Sequence, residues 1–170
     1  MIVIPFDVND RRLRDALMQR LLNEAIESLA EDTKPLWGTM IAQHMVEHLV
    51  WAFELSTGIA DVACHTPPHL LDRAKRFLYD NRPTPREFKN PLLGKDPPAF
   101  RYPTVAEAKT VLRNEITRFH SHYRERPDAI HVHPLFGLLG VEEWERSHFK
   151  HCYHHLLQFQ LVSRVGPSAL

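Results

Sequence analysis

Apolar residues recur at helical spacing along most of the chain. Residues 9–30, NDRRLRDALMQRLLNEAIESLA, carry Leu13, Leu17, Leu21, Ala25 and Leu29 on one face, which predicts an amphipathic helix. DTKPLWG breaks it. Thr39 is placed to cap a second helix, MIAQHMVEHLVWAFELS, and Gly58 ends that helix. HTPPHLLDRAKRFLYD predicts a third, with Thr66 as N-cap and Pro67 at the first helical position. TVAE, Thr104 to Glu107, is a capping box opening a helix through about Arg124. HVHPLFGLLG reads as a loop, and Val141 to about Val162 as the final helix; few stretches read as strands.

Residues 81–103 interrupt this regularity with six prolines, but Phe88, Leu92, Leu93 and Phe100 give the stretch hydrophobic anchors. It is expected to be an ordered crossover rather than a linker between domains. Residues 1–170 are therefore read as one domain, an all-α bundle of four long helices with a long proline-rich crossover.

Charge removes some classes of function. The 21 basic and 21 acidic side chains balance, which argues against a nucleic-acid binder relying on a basic surface. No apolar run approaches the roughly 18–20 residues of a membrane span, and MIVIPFDVNDRR lacks the features of a signal peptide. Two cysteines, Cys64 and Cys152, form no framework, so a cytoplasmic location is the expectation. The oddity is histidine, with twelve copies.

On a helical wheel at about 100° per residue, Val141, Cys152, Leu156 and Phe159 define the apolar face of the last helix. His148, His151 and His155 run along one edge of that face, whereas His154 points away. His151 and His155 are four apart, the spacing two imidazoles need to share one metal ion. On the second helix Ile41, Met45, Leu49, Ala52 and Leu55 make the stripe, with His48 near its centre and His44 at its margin. One histidine on an apolar stripe is more often a hydrogen-bonded core residue. If the two helices face each other, His48 can meet His151 and His155, and three imidazoles suit zinc, nickel or another divalent metal.

Competing constellations are weaker. Adding His44 gives a four-histidine site, though its marginal position suits a supporting role. Cys152 reads as a small core residue. CHTPPH reads as a helix cap. Glu145 and His148 form E-x-x-H, but no second such pair completes a di-iron signature. Ser56 and Ser147 lack a nucleophile elbow. Trp37, Trp51 and Trp144 read as packing near helix ends, with Trp51 a pocket candidate one turn from His48. His133 either caps structure or faces the metal cavity.

HCYHHLLQ, His151 to Gln158, resembles the H-x-x-H-H-x-x-Q signature that closes members of the DinB/YfiT-like superfamily. WGTMIAQHMVEHLVW is similar to its W…H-L element, and HPLFGLLGVEEW resembles a branch of uncharacterised function. The resemblance spans about residues 36 to 160 and is weak across the proline-rich middle. It implies an up-down-down-up four-helix bundle holding zinc or nickel on His48, His151 and His155. His154 is not a ligand in that pattern, and Gln158 falls beside the site as a supporting or pocket residue.

Two functions are expected from this. One is a metal-dependent transferase or hydrolase of a small-molecule substrate, with a low-molecular-weight thiol as a candidate co-substrate. The other is a non-catalytic bundle that binds a ligand or is tied together by its metal. His44 is the better general-base candidate, since Glu47 projects away from the apolar face. A homodimer is the oligomeric option considered.

Overall fold

A computed structural model of the protein describes residues 2–86 and 98–163. The chain is mostly helical, with two small two-stranded sheets. Asp10 caps α1 (Arg11–Ala16) by accepting from the Leu13 N–H. That helix runs through a π turn (Leu17–Leu21) into α2 (Leu22–Glu27), a widening the 3.6-residue periodicity does not reveal.

Helix α3 (Ala42–Ser56) begins after Ile41, so Thr39 is not its cap. It stops where Gly58 turns to φ +73°. A β-carbon at Gly58 would also lie 2.6 Å from the His131 ring, so both backbone conformation and space demand glycine there. Thr66 does not cap a helix either; its hydroxyl donates to the Leu135 carbonyl. Pro67 precedes a 3₁₀ turn (Pro68–Leu70), and α4 spans Leu71–Tyr79. Thr104 caps α5 (Val105–Glu125) as expected, its hydroxyl accepting from the Glu107 N–H, while the Glu107 carboxylate meets that hydroxyl rather than the Thr104 N–H.

The stretch HVHPLFGLLG is a hairpin rather than a loop. Strands β2 (His131–His133) and β3 (Gly137–Leu139) pair antiparallel across Pro134, Leu135 and Phe136. Helix α6 (Val141–Gln158) follows, with Glu143 reaching back to the Gly140 N–H. It ends earlier than periodicity suggests. Gln160 adopts φ +59° while Leu161 and Gln160 donate to the Leu156 and Leu157 carbonyls, the Schellman arrangement with glutamine in the left-handed position. That turn lets β4 (Val162–Ser163) pair in parallel with β1 (Ile2–Val3).

Among the described residues the longer helical segments pack side by side. Helix α3 touches α5 and α6, α2 touches the same two helices, and α1 also meets α6. Phe53, Phe119, Phe149, Tyr153, Leu49 and Leu156 fill the space between them. Two clips hold the ends of the 81–103 stretch. Buried Lys150 donates to the Asp80 and Arg82 carbonyls at 2.5 and 2.7 Å. Arg101 grips Glu54 through both guanidinium nitrogens, while its N–H and that of Tyr102 donate to Glu47. Glu47, read as projecting away from the apolar face, is buried and engaged with these groups. Phe88, Leu92 and Leu93 lie outside the described residues, and Phe100 is half exposed against the His44 ring rather than anchored in the core. Among the described residues no helix is long and apolar enough to cross a membrane.

Candidate metal centre

Helix α3 brings His48, and successive turns of α6 bring His151 and His155, to one point between the two helices. His48 Nε2 lies 2.8 Å from His151 Nε2, which lies 3.1 Å from His155 Nε2. All three ligand atoms fall within 4.8 Å of one another. Tetrahedral zinc at 2.0–2.1 Å from each nitrogen sets neighbouring ligands about 3.3 Å apart, within small side-chain adjustments of this arrangement.

Hydrogen bonds fix how the site is protonated. Gln158 Nε2 donates to the Trp37 carbonyl at 2.9 Å, which orients the amide so that its Oε1 accepts from His155 Nδ1 at 2.8 Å. His155 Nε2 therefore presents a lone pair. Its neighbour His151 Nε2 faces two nitrogens and carries at most one proton. If His48 donates to it, two lone pairs confront each other across 3.1 Å; if it donates, one proton is divided between two acceptors or aimed at another proton. Extra protons are opposed by burial, which lowers His48 to about 4 and holds His151 and His155 well below the usual imidazole value. Three neutral imidazoles with convergent nitrogens are a donor set that could hold a cation.

The other candidates separate clearly. Gln158 supports His155 directly. His44, one turn before His48, faces the Pro98 carbonyl at 3.1 Å and packs on Phe100, away from the trio, so the four-histidine alternative fails. Trp51 packs 6.2 Å from His48, ring to ring. His154 is edge-on to Trp37, with Nδ1 3.4 Å from the Thr84 carbonyl.

The trio sits on the wall of a cavity of about 1150 Å³. All three tryptophans, Trp37, Trp51 and Trp144, line it, so the reading of Trp37 and Trp144 as mere packing is incomplete. The hairpin turn, Pro134 to Phe136, forms part of the same wall. His133 and His148 also line the cavity but are otherwise engaged. His133 Nδ1 accepts from the Leu135 and Phe136 N–H groups at 3.0 and 3.3 Å, so its Nε2 bears the proton and donates to Ser147 Oγ at 3.2 Å. An imidazole in that state cannot take a proton from Ser147, which disposes of a serine–histidine dyad. His148 is stacked on Phe53 at 4.0 Å and on Trp144, with Phe119 edge-on, and its Nε2 has no partner. Burial pushes both rings down to about 3.

A further pair escapes the sequence reading: His122 and His131 face each other, Nε2 to Nε2 at 2.9 Å, outside the cavity. One N–H···N hydrogen bond satisfies them, and among the described residues no third ligand joins them. No protein-family model matches the chain, and neither a curated protein nor a solved structure matches it.

Proposed function

We propose that the protein is a metal-dependent enzyme, a DinB-like four-helix bundle in which His48, His151 and His155 hold a divalent cation beside a small-molecule cavity. The side-by-side contacts among the longer helical segments and the H-x-x-H-H-x-x-Q spacing of the last helix support this fold reading. The observation that carries the functional reading is the convergence of three Nε2 atoms, one with its tautomer set by Gln158, on the wall of a large cavity. Zinc or nickel suits the donor set. When bound, such a cation supplies Lewis acidity and brings the pKa of a coordinated water or thiol toward neutrality, the chemistry of a hydrolase or a thiol-dependent transferase.

Proton handling then falls to the chain. Among the described residues no Asp or Glu lines the cavity, so its described walls offer no carboxylate base of the kind found in many zinc hydrolases. His133, His148 and Lys150 are already committed or closed in by packing. His154, whose ring lies 5.1 Å from that of His155 and lines the cavity, is the remaining imidazole. In our reading its Nδ1–H is held by Thr84 and its Nε2 accepts the proton released as the nucleophile forms.

A purely structural metal is disfavoured by the same geometry: His44 is turned elsewhere, so it does not close the site as a fourth ligand. The test is metal analysis of the purified protein, followed by hydrolase and thiol-transferase screens of the metal-loaded form. Stoichiometric metal with turnover that His154→Ala reduces is expected. Stoichiometric metal with no turnover across the screens would move the protein to the structural reading, and absence of metal affinity would overturn both.

A further inference from the structure

The charge distribution in the cavity narrows what it takes. Acidic residues make up 21 of the 170 in the chain, yet among the described residues none lines the cavity. The charged side chains that do are Arg73, Arg86 and Lys150. Lys150 is engaged with two backbone carbonyls and the face of Phe77. Arg73 and Arg86 are exposed at the cavity edge, and neither meets a carboxylate among the described residues. The Arg86 guanidinium lies over the Trp37 ring, 4.8 Å from its centroid, which holds it at the mouth through a cation–π contact. The remaining walls are largely apolar and aromatic, including Trp51, Leu55, Phe77 and Phe136.

A low-dielectric cleft lined by one sign of charge concentrates ligands of the other sign. An apolar lining favours a ligand with a substantial hydrocarbon body. We propose that the cavity binds a lipophilic carboxylate, its apolar body against the tryptophans and phenylalanines and its carboxylate on Arg73 and Arg86. This inference rests on the reading of the cavity as a substrate site and deepens it. A guanidinium grips a carboxylate through paired N–H donors, a geometry that neither an alcohol nor an amine reproduces.

The experiment is a charge series at constant chain length: octanoate, octanol and octylammonium, titrated into chelator-treated and zinc-loaded protein. Quenching of tryptophan fluorescence reads occupancy, because every tryptophan of the chain lines the cavity. Octanoate is expected to bind roughly tenfold more tightly than octanol, with octylammonium weaker than both. Arg73→Gln/Arg86→Gln should bring octanoate to the affinity of octanol and leave octanol unchanged. Both arginines are exposed, and octanol binding to the variant checks that the cavity is intact. The proposal is overturned if octylammonium binds as well as octanoate, if the arginine variant keeps the preference, or if no member of the series binds. The chelator-treated arm reports the arginines without metal, so loss of the metal reading and loss of this one give different results. A preference present only with zinc would place the carboxylate on the metal and overturn the arginine assignment.

Discussion

The cavity has two groups of histidines, and they differ in how their nitrogens are used. His133 and His148 sit against Phe136, Trp144, Phe53 and Phe119; His133 has a partner for each nitrogen, and His148 is held by its ring faces. His48, His151 and His155 have their nitrogens aimed at one another. Burial lowers the pKa in both groups, so a depressed imidazole pKa does not distinguish a core histidine from a ligand. What distinguishes them is whether the hydrogen-bond partners at each nitrogen can be completed without a cation. For His133 they can, whereas the trio's three nitrogens lie close enough together to hold one.

The largest effect that could break this contrast is on metal content. After equilibration with zinc and dialysis, His151→Ala and His155→Ala are expected to lose stoichiometric metal. His154→Ala, His133→Ala and His148→Ala should retain it. Elemental analysis reads the outcome, and equal losses at His154 and His155 would sink the trio. The second region should instead respond in stability: His148→Ala removes a ring stacked between aromatics and is expected to lower unfolding free energy by roughly 3 kcal/mol.

Acid should separate the two regions next. His133 and His148 titrate near 3 in the fold, against about 6.5 in the unfolded chain. The unfolded state therefore binds more protons throughout that window. Their contribution is fully present above about pH 6.5 and is lost as pH falls toward 3, at up to about 1.4 kcal/mol per pH unit for each ring. Chelator does not alter this loss. On the proposed metal reading the trio behaves differently: a bound metal depresses its ligand pKa values further and adds stability that protons remove. Thermal unfolding should show a large chelator effect at neutral pH and a small one near pH 5. A chelator effect that survives acidification would contradict the site.

A smaller, sharper test concerns Gln158. Replacing it by Leu removes the acceptor that holds the His155 proton on Nδ1, and zinc affinity should fall about 10–100-fold. Gln158→Glu keeps an acceptor there and should restore most of that loss. If both variants bind zinc like the wild type, the tautomer is set by something other than this amide.

Parts of this arrangement were legible in the sequence, and the limits have physical causes. The i, i+4 spacing of His151 and His155, with His48 at the centre of an apolar stripe, is a local pattern and survives into the structure. So does the Thr104 N-cap, whose hydroxyl accepts from the Glu107 N–H within one helical turn. Glu47 was read as outward-facing because its partners, Arg101 and Tyr102, are more than fifty residues away and fold back over α3. The hairpin at His131–Leu139 has three-residue strands, too short for an alternating pattern to register, and β1 and β4 pair across nearly the whole chain. The wheel already puts His44 at the margin of the stripe and His48 near its centre, but what His44 meets, Pro98 and Phe100, lies more than fifty residues away.

The smallest expected effect is also the most direct check on the histidine that is not a ligand. His148 lies flat on Phe53 with an interplanar angle of 11°, and its Nε2 is buried without a partner. An unsatisfied buried polar atom costs about 1–3 kcal/mol, whereas an apolar ring of similar shape forfeits no hydrogen bond there. His148→Phe should therefore raise stability by about 1 kcal/mol, the gain from removing that atom being partly offset by fitting a slightly larger ring. The same substitution removes one proton-binding group from the unfolded chain. The acid limb of the stability curve should flatten by up to about 1.4 kcal/mol per pH unit between pH 6 and 4. Zinc content should not change. Denaturant unfolding at two pH values, with elemental analysis of the same sample, reads all three quantities. If His148→Phe instead loses zinc, the two groups of histidines form one site and the distinction between them fails.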